Sequence, residues 1–481
     1  MDSENTYAST LAGRSFRTLI TIAARFDLEL AQFDVVNAFV HAKVPYNVFM
    51  RLPRGCERPD RILKLNKALY GLRESPLLWQ KLFNQVLREA GCQPVKHEPC
   101  CWIRDGVILF YYVDDIVVAF KEEKRSVADD LITHLRSKFA LQGGDEAQWF
   151  LGVAVVRDRA NKTIYLSQAD YVRKMERFLA NRGNRKAPRT PMAAEELEAH
   201  YGVALYQETQ HYQRIVGTIL YAAVTLRPDV AFAASRLARH NLNPGPQHLK
   251  AAERAVDYLV ATADYALKLG GGDRFATWTD ASFADNTVDR RSLQGYVMML
   301  FGGAIGWKAN KQDTVTTSTT EAELLALSQG TKEALFSLRL IQEIGVQLDE
   351  PHVQVWCDNT QTIRLVTQDV AILNTKLRHV EMHNHWLREK VERQEVRVEY
   401  VPTREQVADG LTKALADQDV KRFRELIGVV DISSLLQQRE ATLRKITDED
   451  LEALYAAVTV RPDVAFAASH TLGRQRTPAW N

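Results

Sequence analysis

The sequence lacks the marks of a secreted, disulfide-bonded or membrane-spanning protein. Its five cysteines form no CxxC pair, so we expect neither a disulfide framework nor a zinc finger. The first ten residues, MDSENTYAST, contain no basic and apolar regions of a signal peptide, and no apolar run is long enough to cross a bilayer. We therefore expect an intracellular protein with reduced thiols and no membrane partner.

The chain also lacks a strong overall charge and a phosphate-binding loop. The net charge is +2, so any polyanion must bind at a local cluster of basic residues. The glycine run at residues 270–272 is not followed by GK[ST], which excludes a P-loop and predicts a flexible boundary instead. With 481 residues, of which 46% are hydrophobic, the chain is long enough for about three domains.

Two adjacent aspartates interrupt what is otherwise an apolar β-hairpin. Asp114 and Asp115 lie between the apolar runs at residues 107–111 and 116–120. Like charges at the edge of a core resist ionisation unless a cation lies beside them. Carboxylate oxygens favour magnesium, which completes its shell with water and substrate phosphates. An ordinary Asp-Asp turn between two strands is the alternative interpretation.

Four further acids follow a β, α, β, α order in the C-terminal half. Asp280 ends the strand-like FATWTD, Glu323 lies in the helical STTEAELLALSQ, Asp358 ends VQVWCD, and Asp409 lies in VPTREQVADGLTK. Each alone is more often a helix cap or a solvated acid. Together they can converge at the strand ends of an α/β sheet, where two magnesium ions about 4 Å apart would neutralise them.

These motifs together resemble the reverse transcriptase and ribonuclease H region of copia-type long-terminal-repeat retrotransposons. The resemblance runs in the family's order from about residue 7 to residue 415. The matching stretches are QFDVVNAFVH, KLNKALYGLRESPLLW, YYVDDIVV, FLGVAV, YQRIVGTILYAAVTLRPDVAFAASRLARH, TDASFAD with DRRSLQGYV, GWKANKQDTVTTSTTEAELLALS, CDNTQTI and VPTREQVADGLTKAL.

The resemblance implies a polymerase site with three acids, called the palm acids below: Asp34, Asp114 and Asp115. In the family such acids hold two Mg²⁺ ions, with Mn²⁺ as an alternative, and join a deoxynucleotide triphosphate to a DNA primer on an RNA template. The resemblance also implies that Phe39 and Tyr112 contact the nucleotide, with Phe39 excluding a ribose 2′-hydroxyl. A core aromatic is the alternative for Phe39.

The resemblance implies a second, nuclease site, whose four acids are called the nuclease acids below: Asp280, Glu323, Asp358 and Asp409. In the family two metal ions at these acids support cleavage of RNA in an RNA:DNA hybrid. Glu321 is the rival for the role of Glu323. We favour Glu323 because it precedes the apolar run LLAL, as the resemblance requires, whereas Glu321 suits an early-helix position stabilised by the macrodipole.

A basic cluster is the candidate surface for the template and primer backbone. Residues 173–189 contain seven basic residues and one acid, Glu176, and basic surface of this kind binds phosphates. A solvated helix face and linker is the alternative. The residues predicted to contact nucleic acid are Arg173, Lys174, Arg177, Arg182, Arg185 and Lys186.

The fold class implied by the resemblance is an α+β palm with incomplete fingers, a helical thumb or connection, and an α/β ribonuclease H-like domain. The predicted segments are the palm and partial fingers at 1–165, the thumb or connection at 166–268, the ribonuclease H-like domain at 269–416 and a C-terminal extension at 417–481.

We expect an RNA-directed DNA polymerase with ribonuclease H activity. A truncated, catalytically impaired relic that still binds nucleic acid is the alternative, because a basic upstream strand of the family is missing and residues 454–470 nearly repeat residues 220–236. By resemblance the protein acts in cytoplasmic particles and the nucleus. The sequence leaves its oligomeric state open.

Overall fold

The structure is a computed structural model, and it describes residues 6–438 except 53, 57, 59, 60, 180–185, 284–289, 369–372, 374 and 376. Residues up to Val430 belong to one compact unit, and the second, Asp431–Asn481, is described only as far as Gln438. The repeat at residues 454–470 therefore lies outside the described residues. Among the residues described, no helix is long and apolar enough to cross a membrane.

The N-terminal part is an antiparallel sheet with three helices. Its six strands have the order β4-β5-β6-β7-β1-β8, and β2 and β3 form a separate pair. The elements are α1 (Gly13–Arg25), β1 (Glu29–Val35), β2 (Lys43–Met50), β3 (Leu63–Lys67), α2 (Ser75–Glu89), β4 (Gln93–Val95), β5 (Glu98–Arg104), β6 (Val107–Tyr112), β7 (Asp115–Phe120), α3 (Arg125–Lys138) and β8 (Leu141–Glu146).

The central hairpin of this sheet is apolar because helices cover both of its faces. Successive side chains of a strand point to opposite sides. In β6, Phe110 packs against Phe16 of α1, with ring centroids 6.5 Å apart, and Tyr111 packs against Phe83 of α2 at 4.8 Å. The hairpin is thereby fixed between two layers, and its turn is held at the edge of the core.

A second sheet and a helical region follow. The order of this five-stranded sheet is β18-β12-β11-β10-β9. The elements up to β12 are β9 (Trp149–Phe150), β10 (Val153–Asp158), β11 (Thr163–Ser167), α4 (Ala169–Arg173), α5 (Tyr206–Thr225), α6 (Ala231–Ala238), α7 (Pro246–Ala261) and β12 (Tyr265–Gly270).

The glycine run at residues 270–272 is packed in the structure, which differs from the flexible boundary that the sequence predicted. Gly270 pairs with Thr163 across β12 and β11, and a Cβ at Gly270 would clash with the carbonyl oxygen of Lys162. These glycines allow close backbone approach. The five-stranded sheet of β9 to β12 and β18 takes strands from three of the four predicted segments. The segment boundaries therefore stay predictions.

The third sheet has the order β15-β14-β13-β16-β17. Strands β13, β14 and β15 pair antiparallel, whereas β13, β16 and β17 pair parallel. The remaining elements are β13 (Phe275–Ser282), β14 (Leu293–Leu300), β15 (Gly303–Lys311), α8 (Thr319–Glu343), β16 (Val353–Cys357), α9 (Thr360–Thr367), α10 (Arg378–Glu392), β17 (Val396–Tyr400), α11 (Asp409–Thr412), α12 (Asp417–Ile427) and β18 (Val429–Asp431).

Helix α1 joins the first sheet to the third. The buried guanidinium of Arg17 donates hydrogen bonds to the carbonyls of Ile305 in β15 and Thr225 in α5, at 2.8 and 2.7 Å, and lies 4.1 Å from the ring centroid of Trp307. Arg14 of α1 forms an ion pair with Glu333 of α8. The predicted combination of an α+β sheet, a helical region and an α/β sheet is confirmed, with all three packed around one helix.

Candidate functional site

The palm acids come together at one end of the first sheet. Asp34 and Asp115 are direct partners across β1 and β7. The backbone N–H of Val35 donates to the carbonyl of Asp114 at 3.0 Å, so the hairpin turn lies against the end of β1. The structure therefore places all three predicted residues at one position, although Asp34 and Asp115 are far apart in the chain.

The turn of the hairpin has a strained backbone that a buried tryptophan holds in place. Val113 has a φ of 58°, which is unfavourable for a β-branched residue. The indole Nε1 of Trp79, in α2, donates to the carbonyl of Val113 at 2.7 Å. Because Trp79 is buried, this hydrogen bond fixes where Asp114 and Asp115 lie.

Burial and neighbouring carboxylates raise the pKa of two palm acids, Asp34 and Asp115. Burial, followed by the charge of Asp114, raises the pKa of Asp34 above its ordinary value. Burial, Asp114 and Asp34 together raise the pKa of Asp115 to about 6. A cation beside the cluster would relieve this repulsion and lower both pKa values.

Tyr70 is a neighbour of the palm acids that the sequence analysis did not single out. Burial, Asp114 and Asp34 raise the pKa of its hydroxyl, and its ring centroid lies 4.7 Å from that of Phe39. Phe39 is half-buried in a short turn after β1. The two rings therefore form an aromatic wall beside the acids, and the only sequence signal for Tyr70 was its place in the stretch KALYGL.

The nuclease acids converge on the third sheet. Trp278 and Trp356 are partners in the parallel pair β13 and β16. Asp280, still within β13, and Asp358, the first residue after β16, each lie two residues further along these neighbouring strands. Asp409 begins α11. Ligand oxygens of Asp280, Asp358 and Asp409 all lie within 4.8 Å of one another, a spacing that the palm acids do not reach in the described chain.

Glu323 joins this cluster from α8, and Glu321 does not. Glu323 is 6% exposed, and its Oε2 has no hydrogen-bond partner among the described residues. Burial, Asp280 and Asp358 raise the pKa of Glu323 to about 9. Such an atom is costly unless it is protonated or bound to a cation.

Glu321 instead caps the start of α8. Its carboxylate accepts hydrogen bonds from the backbone N–H and hydroxyl of Thr317, at 2.6 and 2.8 Å, while Ser318 accepts from the N–H of Glu321. Burial alone would raise the pKa of Glu321, but hydrogen bonds from Thr375 and Thr317 lower it overall. This is the early-helix position that the sequence predicted for Glu321.

Two residues that follow Asp409, Thr412 and Lys413, contact the nuclease acids. The ammonium of Lys413 lies 2.7 Å from Asp409 Oδ1 and 3.6 Å from Asp280 Oδ2, and the hydroxyl of Thr412 donates to Asp280. Burial alone would lower the pKa of Lys413, but Asp280 and Asp409 raise it. The sequence analysis missed Lys413, whose signal was its helical i,i+4 spacing from Asp409.

The donor set fits a divalent cation. The nuclease acids offer only oxygen ligands, and Glu323 contributes a buried oxygen that lacks a partner in the described part of the chain. Asp280, Glu323, Asp358 and Asp409 are therefore the residues that would hold metal ions there, and Asp34, Asp114 and Asp115 are their counterparts in the first sheet.

The predicted basic cluster is only partly described. Arg182 and Arg185 lie outside the described residues. Lys174, Arg177 and Lys186 are exposed. Arg173 is also exposed, but it forms ion pairs with Asp170 and Asp264, so part of its charge is compensated. The role of the cluster in binding nucleic acid stays a prediction.

Comparison with known proteins shows what the chain is similar to. Residues 1–194 match the family model described as reverse transcriptase (RNA-dependent DNA polymerase). The chain is 32% identical, over 89% of its length, to the retrovirus-related Pol polyprotein from transposon TNT 1-94 of Nicotiana tabacum, of which it covers 33%. It is 30% identical, over 90% of its length, to the corresponding polyprotein from transposon RE1 of Arabidopsis thaliana, of which it covers 30%.

A solved structure is also similar. The foamy viral protease-reverse transcriptase in complex with an RNA/DNA hybrid aligns with 84% of this chain and 46% of its own, at a TM-score of 0.45 and 12% identity. The chain spans about a third of the length of the two transposon polyproteins. From the sequence relatives and the family model, the chain is a relative of copia-type retrotransposon Pol polyproteins, and its residues 1–194 match the reverse transcriptase family.

Proposed function

We propose that the chain is an RNA-directed DNA polymerase that also cleaves RNA in an RNA:DNA hybrid. The observation that carries the proposal is the convergence of acids predicted from separate motifs. Asp34 meets Asp115 across two strands, and Asp280, Asp358 and Asp409 meet from three separate elements. Each cluster of like charges destabilises the fold unless a cation is bound beside it. Two such clusters in one chain therefore support two cation-binding sites.

Reverse transcriptases and ribonucleases H generally use divalent metal ions, and we propose Mg²⁺ at both sites. Magnesium suits the oxygen-only ligands, and when bound it supplies positive charge that stabilises the phosphoryl-transfer transition state. The chain's own residues provide position. Trp79 holds the turn of the palm hairpin, and Thr412 orients Asp280.

The aromatic wall of Phe39 and Tyr70 supports a deoxynucleotide as the substrate of the first site. The ring centroids lie 4.7 Å apart beside the palm acids, where they would contact the sugar of a nucleotide held at those acids. A bulky ring there excludes a 2′-hydroxyl by contact. We propose an RNA template, a DNA primer and the resulting hybrid as the nucleic-acid partners.

Primer extension on an RNA template with Mg²⁺ tests the polymerase in the intact chain. The double substitution Asp114→Asn and Asp115→Asn should abolish extension and leave hybrid cleavage intact. Asp358→Asn should do the opposite. Asp129→Asn, at an exposed position of α3, is the matched control. An intact chain that binds hybrid but performs neither reaction would contradict the proposal and support the relic.

A further inference from the structure

The nuclease centre contains a sulfur atom that its acids do not account for. Cys357 is the last residue of β16 and is fully buried. Its Sγ, an oxygen of Glu323 and an oxygen of Asp358 all lie within 4.8 Å of one another. The backbone N–H of Asn359 donates to the same Sγ at 3.4 Å, and the thiol donates to the carbonyl of Asn359 at 3.9 Å.

A second feature points to a ligand at this position. Glu323 is only 6% exposed, and its Oε2 has no hydrogen-bond partner within the described residues. One carboxylate oxygen of Glu323 belongs to the group that contains Cys357 Sγ. The centre thus has two triplets of ligand atoms that share Asp358. One is all oxygen, with Asp280 and Asp409, and the other contains sulfur.

The two triplets differ in the ions that they favour. Magnesium takes oxygen ligands, whereas zinc and cadmium bind thiolates together with carboxylates. We propose that Cys357, Glu323 and Asp358 form a binding site for a thiophilic divalent cation such as Zn²⁺ or Cd²⁺. As the metal–sulfur bond forms, the thiol proton passes to solvent.

The distances allow such a site after a small adjustment. Zinc–sulfur and zinc–oxygen bonds of about 2.3 and 2.1 Å require ligand atoms about 3.5 Å apart in a tetrahedral site. Side-chain movements of about 1 Å would close a separation of up to 4.8 Å. Two ligands of the bound ion, Glu323 and Asp358, are also nuclease acids. A bound Zn²⁺ or Cd²⁺ therefore makes Glu323 and Asp358 unavailable as magnesium ligands. This consequence rests on the proposed function.

Cadmium titration of the intact chain tests the site, because thiolate–cadmium bonds absorb in the ultraviolet. The wild-type chain should show a saturable band. Cys357→Ser should raise the apparent Kd at least tenfold or abolish the band, and Cys56→Ser, at an exposed free cysteine, should leave it unchanged. Glu323→Gln keeps the thiol and should weaken binding at least tenfold, so the test does not depend on one variant's folding. An unchanged band in both Cys357→Ser and Glu323→Gln would overturn the inference.

Hybrid cleavage provides the second measurement. Zn²⁺ added to the Mg²⁺-supported reaction should inhibit the wild-type chain, and Cys357→Ser should require at least tenfold more Zn²⁺ for the same fractional inhibition. Primer extension should be much less sensitive to the ion. Cadmium binding at Cys357 in a chain without cleavage would support the site and contradict the proposed nuclease. Cleavage without a Cys357-dependent band would do the reverse.

Discussion

Arg17 in the first helix donates a hydrogen bond of 2.8 Å to the carbonyl of Ile305, which lies 288 residues later in the chain. The same guanidinium donates to Thr225 at 2.7 Å. One buried cation therefore links the first sheet, the helical region and the third sheet. Burial, the largest effect, lowers the pKa of Arg17 to about 9, so the guanidinium remains charged at neutral pH and its carbonyl partners matter for stability.

Replacing Arg17 should weaken the whole unit. Arg17→Met leaves the carbonyls of Ile305 and Thr225 without their donor, and we expect a loss of about 3 kcal/mol in the free energy of unfolding. Denaturant unfolding measures the loss. Arg125→Met is the control, because Arg125 is exposed, forms an ion pair with Glu122 and lies 5.3 Å from the ring centroid of Phe120, and it should change little. Equal stabilities of the two variants would show that the junction contributes nothing.

The two acid clusters predict an unusual dependence of stability on pH. Burial and neighbouring acids raise the pKa of Asp115 and of Asp409 to about 6, and that of Glu323 to about 9. An acid with a raised pKa favours the folded state while it is protonated, and this contribution is lost as the pH rises through the folded pKa. The metal-free chain should therefore become less stable from about pH 4 to pH 9.

The free energy of unfolding at pH 5 and pH 8, with chelator and with Mg²⁺, measures this effect. We expect the chelated chain to lose on the order of 2 kcal/mol more than Glu323→Gln over this interval, since glutamine cannot ionise. Mg²⁺ should reverse most of the loss. If the wild type and the variant have the same pH dependence of stability, the neighbouring acids do not raise the pKa of Glu323 in the folded protein.

Lys413 should compete with metal ions. Its ammonium lies 2.7 Å from Asp409 Oδ1 and 3.6 Å from Asp280 Oδ2, where a divalent cation would also gain its ligands. Lys413→Met should lower the stability of the metal-free chain and tighten Mg²⁺ binding about tenfold, which corresponds to about 1.4 kcal/mol. Calorimetric titration measures the affinity, and Lys421→Met at an exposed site of α12 is the control. Weaker binding in Lys413→Met would mean that the lysine orients the acids instead.

Phe39 should select against ribonucleotides. Phe39→Ala opens the aromatic wall beside the palm acids, and we expect the ratio of ribonucleotide to deoxynucleotide incorporation to rise at least tenfold. Primer extension with each nucleotide type measures the ratio. Phe49→Ala is the control, because Phe49 is 55% exposed in β2. An unchanged ratio in Phe39→Ala would show that Phe39 does not select the sugar and would support the alternative of a core aromatic.

The positions of the acids could be predicted from the sequence because local patterns reveal strand ends and helix starts. Asp280 and Asp358 were each predicted at the end of a β-like run; the structure places Asp358 directly after β16, whereas β13 continues two residues beyond Asp280. The choice of Glu323 over Glu321 rested on the family resemblance and on the early-helix position of Glu321, where the macrodipole stabilises an acid. Such local rules need no knowledge of the tertiary fold.

The residues that escaped prediction act through distant contacts. Nothing near Arg17 in the sequence indicates that its partners are Ile305 and Thr225. Tyr70 and Lys413 stood within recognised stretches, but their proximity to the acids depends on how separate elements pack. The glycine run at residues 270–272 was predicted to be a flexible boundary, because flexibility and close backbone approach have the same local sequence pattern. Only the packing of distant segments distinguishes the two.

The position of α1 limits how the chain can be dissected. Strand β15 is an edge of its sheet; Arg17 of α1 bonds to Ile305 there, and Trp307 donates to Ala223 of α5 at 2.7 Å. A fragment excised at residue 269 would expose that edge and the indole to water, and bare strand edges recruit other chains. Insolubility of such a fragment would therefore reflect a lost cover and would say nothing about its catalytic competence.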